Sequence, residues 1–182
     1  MSFNLIFQMP SIGLIIILII AVLTDILKGK IPNWLTFPAI LLGLIWISLL
    51  SGFVGFVYSF LGIIVGIGLF IPSYSLGGMG AGDVKLMGVV GAFLGPKNVI
   101  WACIFSCIIG GIYAIVVLYF SGMLKNYLKR YGLMLKTFFL TREFSYMPPL
   151  NDEKTPKLRF GLAIAIGTIA LIYWRKIELV GA

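Results

Sequence analysis

Asp25 and Asp83 are the only carboxylate side chains in the first 142 residues, and each lies against a long apolar run. Asp25 ends the first run, and Asp83 opens a short one after the glycine-rich stretch Leu76-Gly77-Gly78-Met79-Gly80-Ala81-Gly82. A carboxylate well inside hydrocarbon costs roughly 2.5–3.5 kcal/mol on insertion scales, so acids in these positions require a reason. Three chemistries fit. As helix caps, Asp83 suits the N-terminus it precedes, whereas Asp25 at a helix C-terminus opposes the macrodipole. As ion carriers, buried acids would move a proton or cation, although no span carries a chain of polar groups. As an aspartyl dyad, two carboxylates sharing one site titrate as a unit with one member charged. The charged member takes a proton from water, while the protonated one polarises a scissile carbonyl and later protonates the leaving nitrogen. Glycines on either side of Met79 and Ala81 suit a backbone that must approach a peptide and then enter a helix sharply.

The elements that position these acids follow from composition. The chain has 182 residues, 60% hydrophobic and 11% charged, without His, and a mean hydropathy of +1.09. Those values exclude an ordinary soluble domain, in which about a quarter of residues are charged. They predict an all-α, polytopic membrane protein, a single integral membrane domain over 1–182, with about six transmembrane helices near 4–25, 34–51, 53–72, 82–95, 98–120 and 159–177. The fourth is short, since about 14 residues reach only some 20 Å into a hydrocarbon core about 30 Å thick. Two spans separate Asp25 from Asp83, so a chain that goes out and back returns both acids to one face, whichever way it inserts. With six crossings, eleven Lys and Arg residues share that face and three lie opposite, which predicts a cytoplasmic site with both termini outside. The first 27 residues carry no Lys or Arg, so the first helix reads as retained rather than as a cleaved signal.

The loop at about 121–158 is then cytoplasmic. Within it Leu124, Leu128, Tyr131, Leu135 and Phe138 recur at steps of four and three, with Lys125, Lys129 and Lys136 on another face. That pattern predicts an interfacial amphipathic helix over 123–140, lying on the membrane surface or contacting substrate. Met147-Pro148-Pro149 ends it before Asn151-Asp152-Glu153. The net charge of +8 comes without a nucleic-acid motif and reads as membrane topology. Cys103 and Cys107 form no zinc-type CxxC pair. The glycine pairs Gly62 with Gly66 and Gly91 with Gly95 read as helix packing.

Gly80-Ala81-Gly82-Asp83, followed by Val84-Lys85-Leu86-Met87, resembles the GxGD motif of the type IV prepilin peptidases. Asp25 with Lys30-Ile31-Pro32-Asn33-Trp34-Leu35-Thr36 resembles their first-aspartate block, and Phe160-Gly161-Leu162-Ala163-Ile164-Ala165-Ile166-Gly167 their last helix. The resemblance implies a six-helix inner-membrane aspartyl peptidase that removes the basic leader of prepilin-like substrates, or of archaeal preflagellins, at the cytoplasmic face. Asp25 and Asp83 match the catalytic positions and Gly80 and Gly82 the motif glycines. Lys85 matches a recurring lysine, read as a substrate contact or a topological anchor. The CxxC-bearing N-terminal region of longer members is missing, so neither zinc nor another cofactor is expected, nor methylation of the new N-terminus by S-adenosylmethionine. The short chain is similar to the peptidases of Flp or tight-adherence pili. Arg159 stands where the last block often has proline. A basic leader meeting a basic face needs an acidic receiver, and Glu143, Asp152 and Glu153 are the candidates, with anionic headgroups as the other source. The alternative function is a non-proteolytic proton or cation transporter, or a pilus-assembly accessory.

Overall fold

Backbone amides in hydrocarbon have no water to bond, so an apolar chain must pair them within itself, and helices do so. The computed structural model describes residues 3–122, 129, 132–134, 136, 137 and 159–181. Its long elements are helical: α1 (Phe3–Lys28), α2 (Asn33–Ser75), α3 (Ala81–Phe120) and α4 (Phe160–Gly181). No strand occurs among the described residues. Each of the four is long and apolar enough to cross a membrane.

α2 and α3, with 43 and 40 residues, would run about 65 and 60 Å if straight, twice the thickness of the hydrocarbon. Neither is straight. Gly52 (φ 62, ψ −144) and Gly95 (φ 75, ψ 177) leave helical geometry, in a region glycine enters at little cost. The chain folds back at both. A β-carbon built on Gly55 would collide with the Ile47 carbonyl, eight residues earlier and about 12 Å away in a continuous helix. A β-carbon on Gly66 would lie 2.5 Å from the Met87 carbonyl oxygen and 3.1 Å from Val99 Cγ2, although twelve residues of straight helix span about 18 Å. The arms are therefore 33–51, 53–75, 81–94 and 96–120, close to the sequence expectation.

The short arm 81–94 is the centre of the packing, with every residue from Leu86 to Leu94 buried. It needs no long lipid-facing surface, which explains its length. The second arm of α2 turns Gly55, Ser59, Gly62, Gly66 and Phe70 inward. Gly62 and Gly91 each face the other's carbonyl with no room for a β-carbon, and Gly66 sits on Met87, so the two arms run antiparallel through their small residues. The first arm of α2 runs parallel to 81–94, since Gly43 abuts Ala92 and Phe93 while Gly88 faces Ile40. The glycine pairs are thus packing contacts, held by dispersion between close backbones. α1 packs against α2 and α4.

By its contacts, Met1–Gly110 with Arg159–Ala182 forms one compact unit and Gly111–Leu158 another. The second contains the end of α3 and the few described residues of the expected amphipathic segment, which are helical; the rest of 123–140 lies outside the described residues, as do Glu143, Asp152 and Glu153.

The reversal at Gly95 frees carbonyls inside the bundle. Pro96 has no N–H to return to Ala92, four residues back. The Ser59 hydroxyl donates to the Ala92 oxygen at 2.8 Å, while the Leu94 oxygen accepts from Asn98 Nδ2 at 2.8 Å and from the Tyr58 hydroxyl at 3.2 Å. Ser59→Ala should therefore cost about 1–3 kcal/mol, since it leaves a buried acceptor unpaired, and thermal unfolding in detergent measures it. Ser75→Ala, at an exposed hydroxyl bonded only within its own helix, is the control and should change stability little.

Candidate active site

α1 buries Ser11, Leu14, Leu18, Ala21 and Asp25, at steps of three, four, three and four that make one stripe of a helix. Asp25 is the polar end of that stripe, turned inward and 8% exposed. One turn later Gly29, at φ 64, donates its N–H to the Asp25 carbonyl at 2.9 Å and ends the helix.

Asp83 is the third residue of α3 and likewise 8% exposed. Its backbone N–H donates to the Gly80 carbonyl at 3.1 Å, and its Oδ2 accepts the Gly80 N–H at 3.2 Å. This is the reach-back half of a capping box, so Asp83 does stabilise the helix it opens. The motif glycines have separate tasks: exposed Gly80 supplies that amide, and Gly82 admits a neighbour.

The neighbour is Ile31. A β-carbon on Gly82 would lie 2.9 Å from Ile31 Cβ, and one on Gly161 would lie 3.2 Å from Ile31 Cδ1 and 3.0 Å from Asp25 Oδ2. The end of α1, the start of α3 and the start of α4 thus converge on one buried side chain, at one end of the unit. Asp25 Oδ2 is buried with no hydrogen-bond partner among the described residues, which leaves it free to accept a proton.

The start of α4 relieves the conflict between Asp25 and its own helix. The Gly161 amide, in the first turn of α4, faces the Asp25 carboxyl, and the Arg159 cation stands beside it. A helix N-terminus carries partial positive charge, so α4 offsets what the C-terminus of α1 imposes. Arg159 Nη1 also donates to the Ile26 carbonyl at 2.7 Å. Phe160 packs edge-on to Phe70 at 6.2 Å.

Lys85 reaches to the start of α2. Its Nζ donates to Asn33 Oδ1 at 2.8 Å and lies 5.2 Å from the centre of the Phe37 ring, tying the starts of α2 and α3 together. Among the described residues no group of three His, Cys, Asp or Glu is placed to hold a metal ion.

Ile31, Gly161 and Arg159 escaped the residue-type reading, because none carries a chemistry that marks it. The one available signal was the arginine at the entry to the last helix. Gly82→Ala should destabilise the protein by about 1–3 kcal/mol, as overpacking against the fixed Ile31 Cβ does, and Gly161→Ala, which meets only the movable ends of Asp25 and Ile31, should cost less. Gly13→Ala, where a β-carbon meets nothing within 4 Å, should be neutral or stabilising, and thermal unfolding of the three variants separates these outcomes.

A model of the type IV leader peptidase family matches residues 12–115, a stretch that includes Asp25, the whole of α2 and Asp83. Nothing among curated proteins or solved structures matches the chain. The match covers more than half of the sequence and contains both buried acids, and the chain belongs to the type IV leader peptidase family.

Proposed function

We propose that the chain is an aspartyl prepilin leader peptidase, with Asp25 and Asp83 as its acid/base pair. The observation that carries this reading is that the helix ends bearing the two buried carboxylates, separated in sequence by the whole of α2, meet at Ile31. A pair sharing one site holds one proton between them. The ionised member takes a proton from water as that water attacks the scissile carbonyl, and the protonated member polarises the carbonyl oxygen. The proton then passes to the leaving nitrogen as the C–N bond breaks. Exposed Gly80 keeps the approach to Asp83 open for an extended peptide, while Gly82 seats Ile31 beside it.

In this reading the six helical arms are six crossings of the cytoplasmic membrane, and all 182 residues are one peptidase domain. The positive-inside rule puts the acids at the cytoplasmic face. The substrate carries a basic leader followed by an apolar helix, and cleavage falls between them. That junction lies at the headgroup boundary when the apolar helix is in the bilayer, level with a site at the ends of helices. Lys85 acts as an anchor between α2 and α3, given the two partners that hold it. The acids Glu143, Asp152 and Glu153 receive the leader.

Co-expression with a candidate prepilin tests the pair. Asp25→Asn and Asp83→Asn should each lower the cleavage rate by about 10²–10⁴-fold, the usual worth of a positioned acid or base, with normal insertion into the membrane. Full cleavage by either variant contradicts the dyad and favours an ion-binding or accessory role. Reversing the charge of Glu143, Asp152 and Glu153 together should slow processing of a basic leader and restore it for an acidic one; an unchanged rate removes them from the substrate path.

A further inference from the structure

Arg159 has no part in the chemistry just described, yet it occupies the junction on which that chemistry relies. The last carbonyls of any helix lack partners within it. In α1 one of them, Ile26 O, is taken by Arg159 Nη1 at 2.7 Å, and Ile26 is the residue next to Asp25. Arg159 immediately precedes Phe160, the first residue of α4, so its backbone moves with that helix. Two residues on, Gly161 faces Asp25 so closely that a β-carbon there would lie 3.0 Å from Oδ2. The guanidinium suits such a tie, because it keeps its charge and presents rigid donors in a plane. The backbone side of the same turn is held by the Gly29 N–H on the Asp25 carbonyl, which fixes the turn of α1 but not its distance from α4.

We propose that Arg159 is a positioning residue for Asp25: by binding the Ile26 carbonyl it locks the last turn of α1 to the start of α4 and holds the Asp25 carboxyl in line with Asp83. This deepens the dyad reading and rests on it. Arg159 touches no reacting atom, so its loss acts on the chemical step through Asp25 and leaves substrate affinity alone.

The test uses the full chain in proteoliposomes with a prepilin substrate, and compares wild type, Arg159→Ala and Arg159→Lys. Arg159→Ala should lower kcat on the order of tenfold or more, as small misplacements of reacting groups do, with KM unchanged within error. Arg159→Lys, which keeps a cation and a donor, should recover most of that loss. Amide hydrogen exchange supplies a readout independent of cleavage: residues 25–29 should exchange faster in Arg159→Ala and return toward wild type in Arg159→Lys, with the other helices unchanged. An unchanged kcat, a rise in KM alone, or faster exchange throughout the bundle would each overturn the proposal. Wild-type protein that cleaves no prepilin would refute the peptidase reading by itself. In that case the exchange measurement still decides the tie, and unchanged exchange at 25–29 rejects it.

Discussion

Where Gly62 meets Gly91, two helices touch through their backbones, and the height of Asp83 in the bundle follows from that contact. Helices in lipid gain little from burying apolar side chains against one another, so their association depends on how closely they approach. Glycine permits the closest approach. The second arm of α2 brings Gly62 and Gly66 against Gly91 and Met87, which fixes the short arm 81–94 in the middle of the unit. With that arm fixed, its first turn, and Asp83 with it, can stand only at the end where α1 finishes. The reversals at Gly52 and Gly95 are the other half of this constraint, and the hydroxyls of Ser59 and Tyr58 satisfy the carbonyls that the second one frees.

Two acids at one end of such a bundle face opposite local fields. Asp83 opens its helix and bonds the Gly80 amide, a favourable place for a carboxylate. Asp25 closes its helix, an unfavourable place, and is compensated by the start of α4 through Gly161 and Arg159. Two chain segments far apart in sequence therefore have to meet for Asp25 to be tolerated, and the start of α3 joins them at Ile31. Family membership brings a peptidase, and this convergence is what makes a shared-proton dyad chemically sensible within that membership.

Much of this was legible in the sequence, for identifiable reasons. Helix boundaries followed from apolar run length, and the breaks at Gly52 and Gly95 fall where the runs were divided. That Asp25 and Asp83 would come to one end was expected from the two helical arms between them, which needs no coordinates. Even the small-residue spacing was read correctly as packing, since Gly62 and Gly91 prove to be partners. What escaped was the identity of neighbours across the chain. Ile31 and Gly161 are ordinary apolar and small residues, and only their three-dimensional meeting gives them importance. Arg159 was visible as a departure from the family pattern, but its bond to Ile26 spans 133 residues, and no periodicity reaches that far. The two partners of Lys85, Asn33 and Phe37, were equally hidden.

The central claim is that Asp25 and Asp83 form one site rather than two separately useful acids. Groups that act as a unit are strongly non-additive when removed together. The direct measurement is kcat/KM for prepilin cleavage by Asp25→Asn, Asp83→Asn and the double variant, under identical conditions in one membrane preparation. The account predicts that the double variant is no worse than the more damaged single. Losses that multiply, so that the double variant falls by the product of the two single effects, would contradict it.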